Sequence, residues 1–100
     1  MKEINIQDPN YPQSLLNLDS PPKRLYTIGD ERLLTNFALA IVGTRTPTHY
    51  GEEITKSISY GLAKQGITII SGMAKGIDKN AHIGAILAKG KTIAVLRLRI

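Results

Sequence analysis

Hydrophobic and polar positions follow one rule before residue 37 and another after it. In the first stretch, apolar residues come in short groups separated by Pro9, Pro12, Pro21 and Pro22. Each proline fixes φ and lacks an N–H donor, so no long element can form there. Between them, Gln13 to Leu18 predicts a short helix burying Leu15, Leu16 and Leu18. The segment from Arg24 to Gly29 alternates closely enough for a short strand, which Gly29-Asp30 ends.

From Phe37 onward the apolar runs no longer alternate. Phe37 to Val42, Ile67 to Ile70 and Thr92 to Leu96 read as strands with helices on both faces, since neither face then meets water. Two helical patterns separate them. Tyr50, Ile54, Ile58 and Leu62 recur every fourth residue and predict a stripe lying on the sheet, with Glu52, Glu53, Lys56 and Lys64 in solvent. Ile77, Ala81, Ala85 and Ala88 make a thinner stripe whose small residues allow close approach. Gly66 and Gly90 follow the two patterns, where a left-handed C-terminal cap is common.

Strand, helix, strand, helix, strand is half of a doubly wound α/β fold: a three-layer, mostly parallel sheet with crossover helices. Residues 1–36 read as an N-terminal extension and residues 37–100 as the half-domain. A sheet of so few strands leaves at least one edge bare.

In such sheets, ligands bind beyond the carboxyl ends of the strands. Two loops fall on that rim, Gly43-Thr-Arg-Thr-Pro-Thr48 and Ser71-Gly-Met-Ala-Lys-Gly76. Gly43, Gly72 and Gly76 allow the backbone to approach a ligand, and the amides at each following helix start favour an anion. Thr44, Thr46, Thr48 and Ser71 add hydroxyl donors, Arg45 a planar fork suited to phosphate, and Lys75 a mobile point charge. Either loop alone reads equally well as a turn, with Thr48 capping a helix that begins near His49. Two basic loops on one rim favour a phosphate cradle.

Other chemistries find little support. G-x-G-x-x-G does not follow any strand, and GxxxxGK[ST] is absent. Asp78 and His82, four apart on one helix face, could hydrogen-bond or hold a metal, but no third ligand accompanies them. A helix-start Asp with His82 near the loop is the preferred reading. Tyr50 belongs to the apolar stripe, so packing is preferred to base stacking.

Charge sharpens the picture. The net +5 resides after residue 43, where nine bases face only Glu52, Glu53 and Asp78. Such an excess raises the expectation of a polyanionic partner. Cysteine is absent, so neither a disulfide framework nor a thiolate metal site is available. Residues 1–10 lack the apolar core of a signal peptide, and no apolar stretch approaches the ~18 residues of a membrane span. The protein reads as cytoplasmic, with no membrane partner.

In order along the chain stand Tyr11-Pro-x-x-Leu15, Pro21-Pro22-x-x-Leu25-Tyr26-x-x-Gly29, Ala40-Ile-Val-Gly-Thr-Arg45 and Tyr50-Gly51. Gly66-Ile-Thr-Ile-Ile-Ser-Gly-Met-Ala-Lys-Gly-Ile-Asp78, Ala81-His82 and Gly90-Lys-Thr-Ile-Ala-Val-Leu96 follow. With these motifs the chain resembles the bacterial DNA-processing protein A family, also called Smf. The resemblance implies an extended Rossmann-like domain that binds single-stranded DNA and helps load a RecA-type recombinase in natural transformation and recombination, without a catalytic step or cofactor. It implies phosphate contacts at Gly43, Thr44, Arg45, Ser71, Gly72, Lys75 and Gly76. Where the family continues through the second half of its sheet, this chain reads Leu96-Arg-Leu-Arg-Ile100 and ends. The half expected to carry further DNA contacts, a homodimer surface and recombinase docking is therefore absent, and the chain reads as truncated. Two further readings stand beside this one: an enzyme or sensor for a small phosphorylated ligand such as a nucleotide, and a folded scaffold without its own activity.

Overall fold

The computed structural model describes residues 1–96; the expectation for Arg97 and Arg99 lies outside the described residues. The chain forms two compact units, Met1–Asn36 and Phe37–Ile100. In the first, β1 (Lys2–Asn5) pairs antiparallel with β2 (Arg24–Thr27), Lys2 opposite Thr27 and Ile4 opposite Leu25. Ile4 and Tyr11 are buried. The Tyr11 hydroxyl donates to the Pro22 carbonyl at 2.6 Å, giving the polar tip of a buried ring its partner. Helix α1 (Gln13–Leu16) is a single turn, and Leu16 and Leu18 stay exposed instead of being buried. One turn bounded by prolines is too short to present an apolar stripe to a core.

The second unit is a parallel sheet ordered β3 (Ala38–Ala40), β4 (Thr68–Ser71), β5 (Thr92–Ala94). Leu39 stands beside Ile69, and Ile69 beside Thr92. Helix α2 (His49–Lys64) joins the first pair and α3 (Ile77–Leu87) the second. The α/β half-fold read from the sequence is present, but among the described residues of this unit one sheet face carries both helices. Both crossovers step in the same direction across the sheet, so crossovers of one hand place both helices on one side. Ile69 is fully buried there among Ala63, Ala81 and Ala85, with Ile41, Leu62 and Ala88 packed around them.

The contact between the helices shifts the buried face of α2 from the expected stripe, of which Leu62 packs against the core while Tyr50, Ile54 and Ile58 are exposed. Tyr50 is 73% exposed and Ile58 53%, whereas Thr55, Ser59 and Ala63 are buried. The buried row lies one residue along from the apolar stripe, a rotation of about 100°. Backbone proximity selects the small row. A Cβ at Gly84 would lie 2.5 Å from the Lys56 carbonyl oxygen and 2.9 Å from Ser59 Cβ, and Ser59 Oγ donates to the Ala81 carbonyl at 2.5 Å. Bulky isoleucines cannot enter a gap that glycine barely fits.

Both helices end in the same double hydrogen-bonded cap. Ile67 N–H reaches Leu62 O and Gly66 N–H reaches Ala63 O; Gly90 N–H reaches Ala85 O and Lys89 N–H reaches Ile86 O. Gly66, at φ 86°, takes the left-handed position expected of it. After α3 that position falls on Lys89, at φ 55°, and not on Gly90. Gly90 lies against Ala63 instead, where an added Cβ would approach the alanine methyl to 2.7 Å.

Candidate functional site

Parallel strands bring the loops after β3 and β4 to one rim, and hydrogen bonds join them. Ile77 N–H, at the start of α3, donates to the Thr44 carbonyl at 3.1 Å. Gly76 sits beneath this contact at φ 79° and ψ −124°. A Cβ there would collide with the Thr44 carbonyl and come within 2.8 Å of both the Arg45 carbonyl carbon and Pro47 Cδ. Only glycine lets the second loop pass so close under the first. Ile77 in turn rests on Gly43, whose missing Cβ would lie 2.8 Å from Ile77 Cγ1.

The two helix starts differ. Thr48 caps α2 by accepting from Gly51 N–H at 3.0 Å, as anticipated. That spends the cap position beside the first loop. No side chain caps α3; its Ile77 N–H is taken by the Thr44 carbonyl, and the buried Asp78 stands in its first turn. Of the two helix starts read as anion seats, α3 alone lacks a side-chain cap, and its Asp78 already supplies a negative charge there.

Hydroxyl groups divide similarly. Thr44 and Thr46 are exposed, their oxygens 3.4 Å apart, and Thr46 N–H donates to Thr44 Oγ1 at 3.1 Å. Ser71 is buried, and its Oγ donates to the Ile41 carbonyl at 2.5 Å, tying the end of β4 to the end of β3. Its hydroxyl thus serves the sheet and not the loop surface, unlike the donor role read from the sequence. Arg45 and Lys75 are both exposed, and neither is ion-paired among the described residues. By contrast, Lys2 pairs with Glu31 at 3.1 Å and Arg32 with Asp30 at 2.9 Å.

Asp78 and His82 flank Gly72 without bonding to each other. His82 Nε2 stands 2.8 Å from the Gly72 carbonyl and Nδ1 2.6 Å from Thr92 Oγ1. A carbonyl only accepts, so Nε2 carries a proton and the ring anchors the loop to β5. Asp78 is 7% exposed; a Cβ on Gly72 would lie 2.6 Å from its Oδ2. Gly72 therefore leaves room for an inward-turned carboxylate. No group of three or more metal-ligating side chains occurs among the described residues.

Lys56, Lys79 and Asn80 were not among the residues singled out for the site. They line a groove of about 400 Å³ between α2 and α3, together with Lys75, Gly76, Pro47, Glu52 and Ile83. Asn80 Nδ2 donates to the Gly76 carbonyl at 2.8 Å, holding the loop from below. The four-residue steps from Lys75 to Lys79 and from Gly76 to Asn80 were the available signal; Lys56 gave none.

A sequence profile described as DNA recombination-mediator protein A matches residues 2–99. The chain belongs to this DNA recombination-mediator protein A family. It is 46% identical over 97 residues to Protein Smf of Synechocystis sp., covering 93% of this chain and 24% of that protein. It is 39% identical over 94 residues to the DNA processing protein DprA of Bacillus subtilis, covering 93% and 32%. The X-ray structure of DNA processing protein A from Streptococcus pneumoniae superposes with a TM-score of 0.89 at 36% identity, over 95% of this chain and 33% of that one. A Helicobacter pylori DNA processing protein A, described for its single-stranded DNA binding mode, superposes at 0.81 and 36% identity, over 95% and 42%. This member of the recombination-mediator family thus spans about a fifth to a third of the curated relatives it matches, and it shares the Rossmann-like fold of the two solved structures. No helix of the described residues is long and apolar enough to cross a membrane.

Proposed function

We propose that this chain binds single-stranded DNA by its phosphates, without reading base sequence, through Gly43, Thr44 and Arg45 of the first loop and Gly72, Lys75 and Gly76 of the second. Ser71 supports the loops from beneath. The observation that carries this reading is the hydrogen bond from Ile77 N–H to the Thr44 carbonyl. It makes two basic loops into one surface beside an uncapped helix start. A guanidinium and an ammonium without carboxylate partners there would release counterions on meeting a polyanion, which supplies affinity without base specificity. The single-stranded DNA binding mode described for the Helicobacter pylori relative is in keeping with that ligand.

Within a complete DNA-processing protein, this surface would hold single-stranded DNA for transfer to a RecA-type recombinase during transformation and recombination, with a homodimer and the recombinase dock formed by the longer protein. No chemical step belongs to the proposal. Fluorescence anisotropy with oligonucleotides of several lengths at two salt concentrations tests it. Affinity is expected to rise with length, to fall steeply with salt, and to drop at least tenfold in Arg45→Glu. Tight, salt-resistant binding of a mononucleotide with no gain from longer strands would instead establish the small-ligand reading.

A further inference from the structure

We propose that the groove between α2 and α3 is a second anion subsite, which takes a neighbouring phosphodiester of a strand already held at the loops. This inference rests on the DNA-binding reading above. Lys56, Lys75 and Lys79 converge on the groove, with Glu52 as the one acid on its lining. Lys75 and Lys79 have no ion-pair partner among the described residues, so their ammonium groups are available to an anion at this concave surface. Lys56 is the constrained member: its side chain is 30% exposed, and Glu53 holds its Nζ at 3.2 Å.

Continuity with the loops gives the groove its ligand class. Pro47, Lys75 and Gly76 belong both to the loop junction and to the groove wall, so a strand crossing the junction meets Lys79 next. The lining contains no aromatic ring on which a base could stack, which favours the sugar–phosphate backbone over the bases.

Anisotropy titrations of Lys56→Ala and Lys79→Ala against a dinucleotide and a 20-nucleotide strand test the subsite, with Lys91→Ala as the charge-matched control. Lys91 precedes β5, on the rim opposite the loops. Thermal melts establish that each variant is folded. For the long strand, Lys79→Ala is expected to weaken binding about fivefold and to reduce the magnitude of the salt slope by about 0.7, the loss of one phosphate contact. Lys56→Ala should act in the same direction. Dinucleotide binding and the Lys91→Ala variant should be unchanged. Long-strand affinities of the groove variants equal to wild type, or losses no larger than that of Lys91→Ala, would overturn the subsite while leaving the loop cradle standing. Failure of the wild type to bind any oligonucleotide would bring down both.

Discussion

Gly76 combines a left-handed φ with backbone atoms of Thr44 and Arg45 where a side chain would begin. Gly76→Ala should therefore lower stability by about 2–4 kcal/mol, from backbone strain together with overpacking. A urea melt is expected to show a lower midpoint with an unchanged slope, alongside weakened oligonucleotide binding. Lys89 presents the converse case. It holds φ 55° after α3 with a Cβ in place, so Lys89→Gly should gain about 0.5–1 kcal/mol in the same assay. The glycines were legible as loop formers in the sequence, because two of them flank a lysine after an apolar run. That Gly76 lies beneath Thr44, and that Ser71 bonds to Ile41, were not, because each depends on a partner about thirty residues away.

At the scale of an element, α2 is the instructive case. Its length and its Thr48 cap could be read locally, since capping uses neighbours within one turn. Its buried face could not. Hydrophobic periodicity assumes that the largest apolar residues face the core, but the close approaches at Gly84 and Gly90 put the small Ser59 and Ala63 at the contact. Substitutions one residue apart distinguish the two orientations. Ile58→Lys should leave stability within about 0.5 kcal/mol, whereas Ser59→Leu, pushing a branched chain against the Ala81 carbonyl and Gly84, should cost about 3 kcal/mol or more. With the apolar stripe on the sheet, that order would reverse, and thermal denaturation of the pair decides between them.

For the whole molecule, charge distribution makes the broadest prediction. The acids of the first unit are partly occupied by its own bases, as in Lys2 with Glu31 and Arg32 with Asp30. On the second unit, Arg45, Lys75 and Lys79 at the loops and the groove have no ion-pair partner among the described residues, while Lys56 pairs with Glu53. A strand engaging two or three phosphates there should give a plot of log affinity against log salt with a slope of about −1.4 to −2.1, at about −0.7 per contact. A slope near zero would mean that ionic contacts do not carry the binding.

The sequence alone determined the family, the order of strands and helices, the rim on which both loops lie, and the basic excess behind them. These follow from local runs, caps and motifs, or from the parallel topology that crossover helices impose. Tertiary structure decided which row of α2 is buried, that Thr44 of one loop takes the first N–H of α3 beyond the other, that Ser71 faces the sheet, and that Lys56 joins Lys75 and Lys79 in one groove. Each of these depends on how closely two distant backbone segments approach, a distance set by side-chain volume on both partners at once, which no single stretch of sequence encodes.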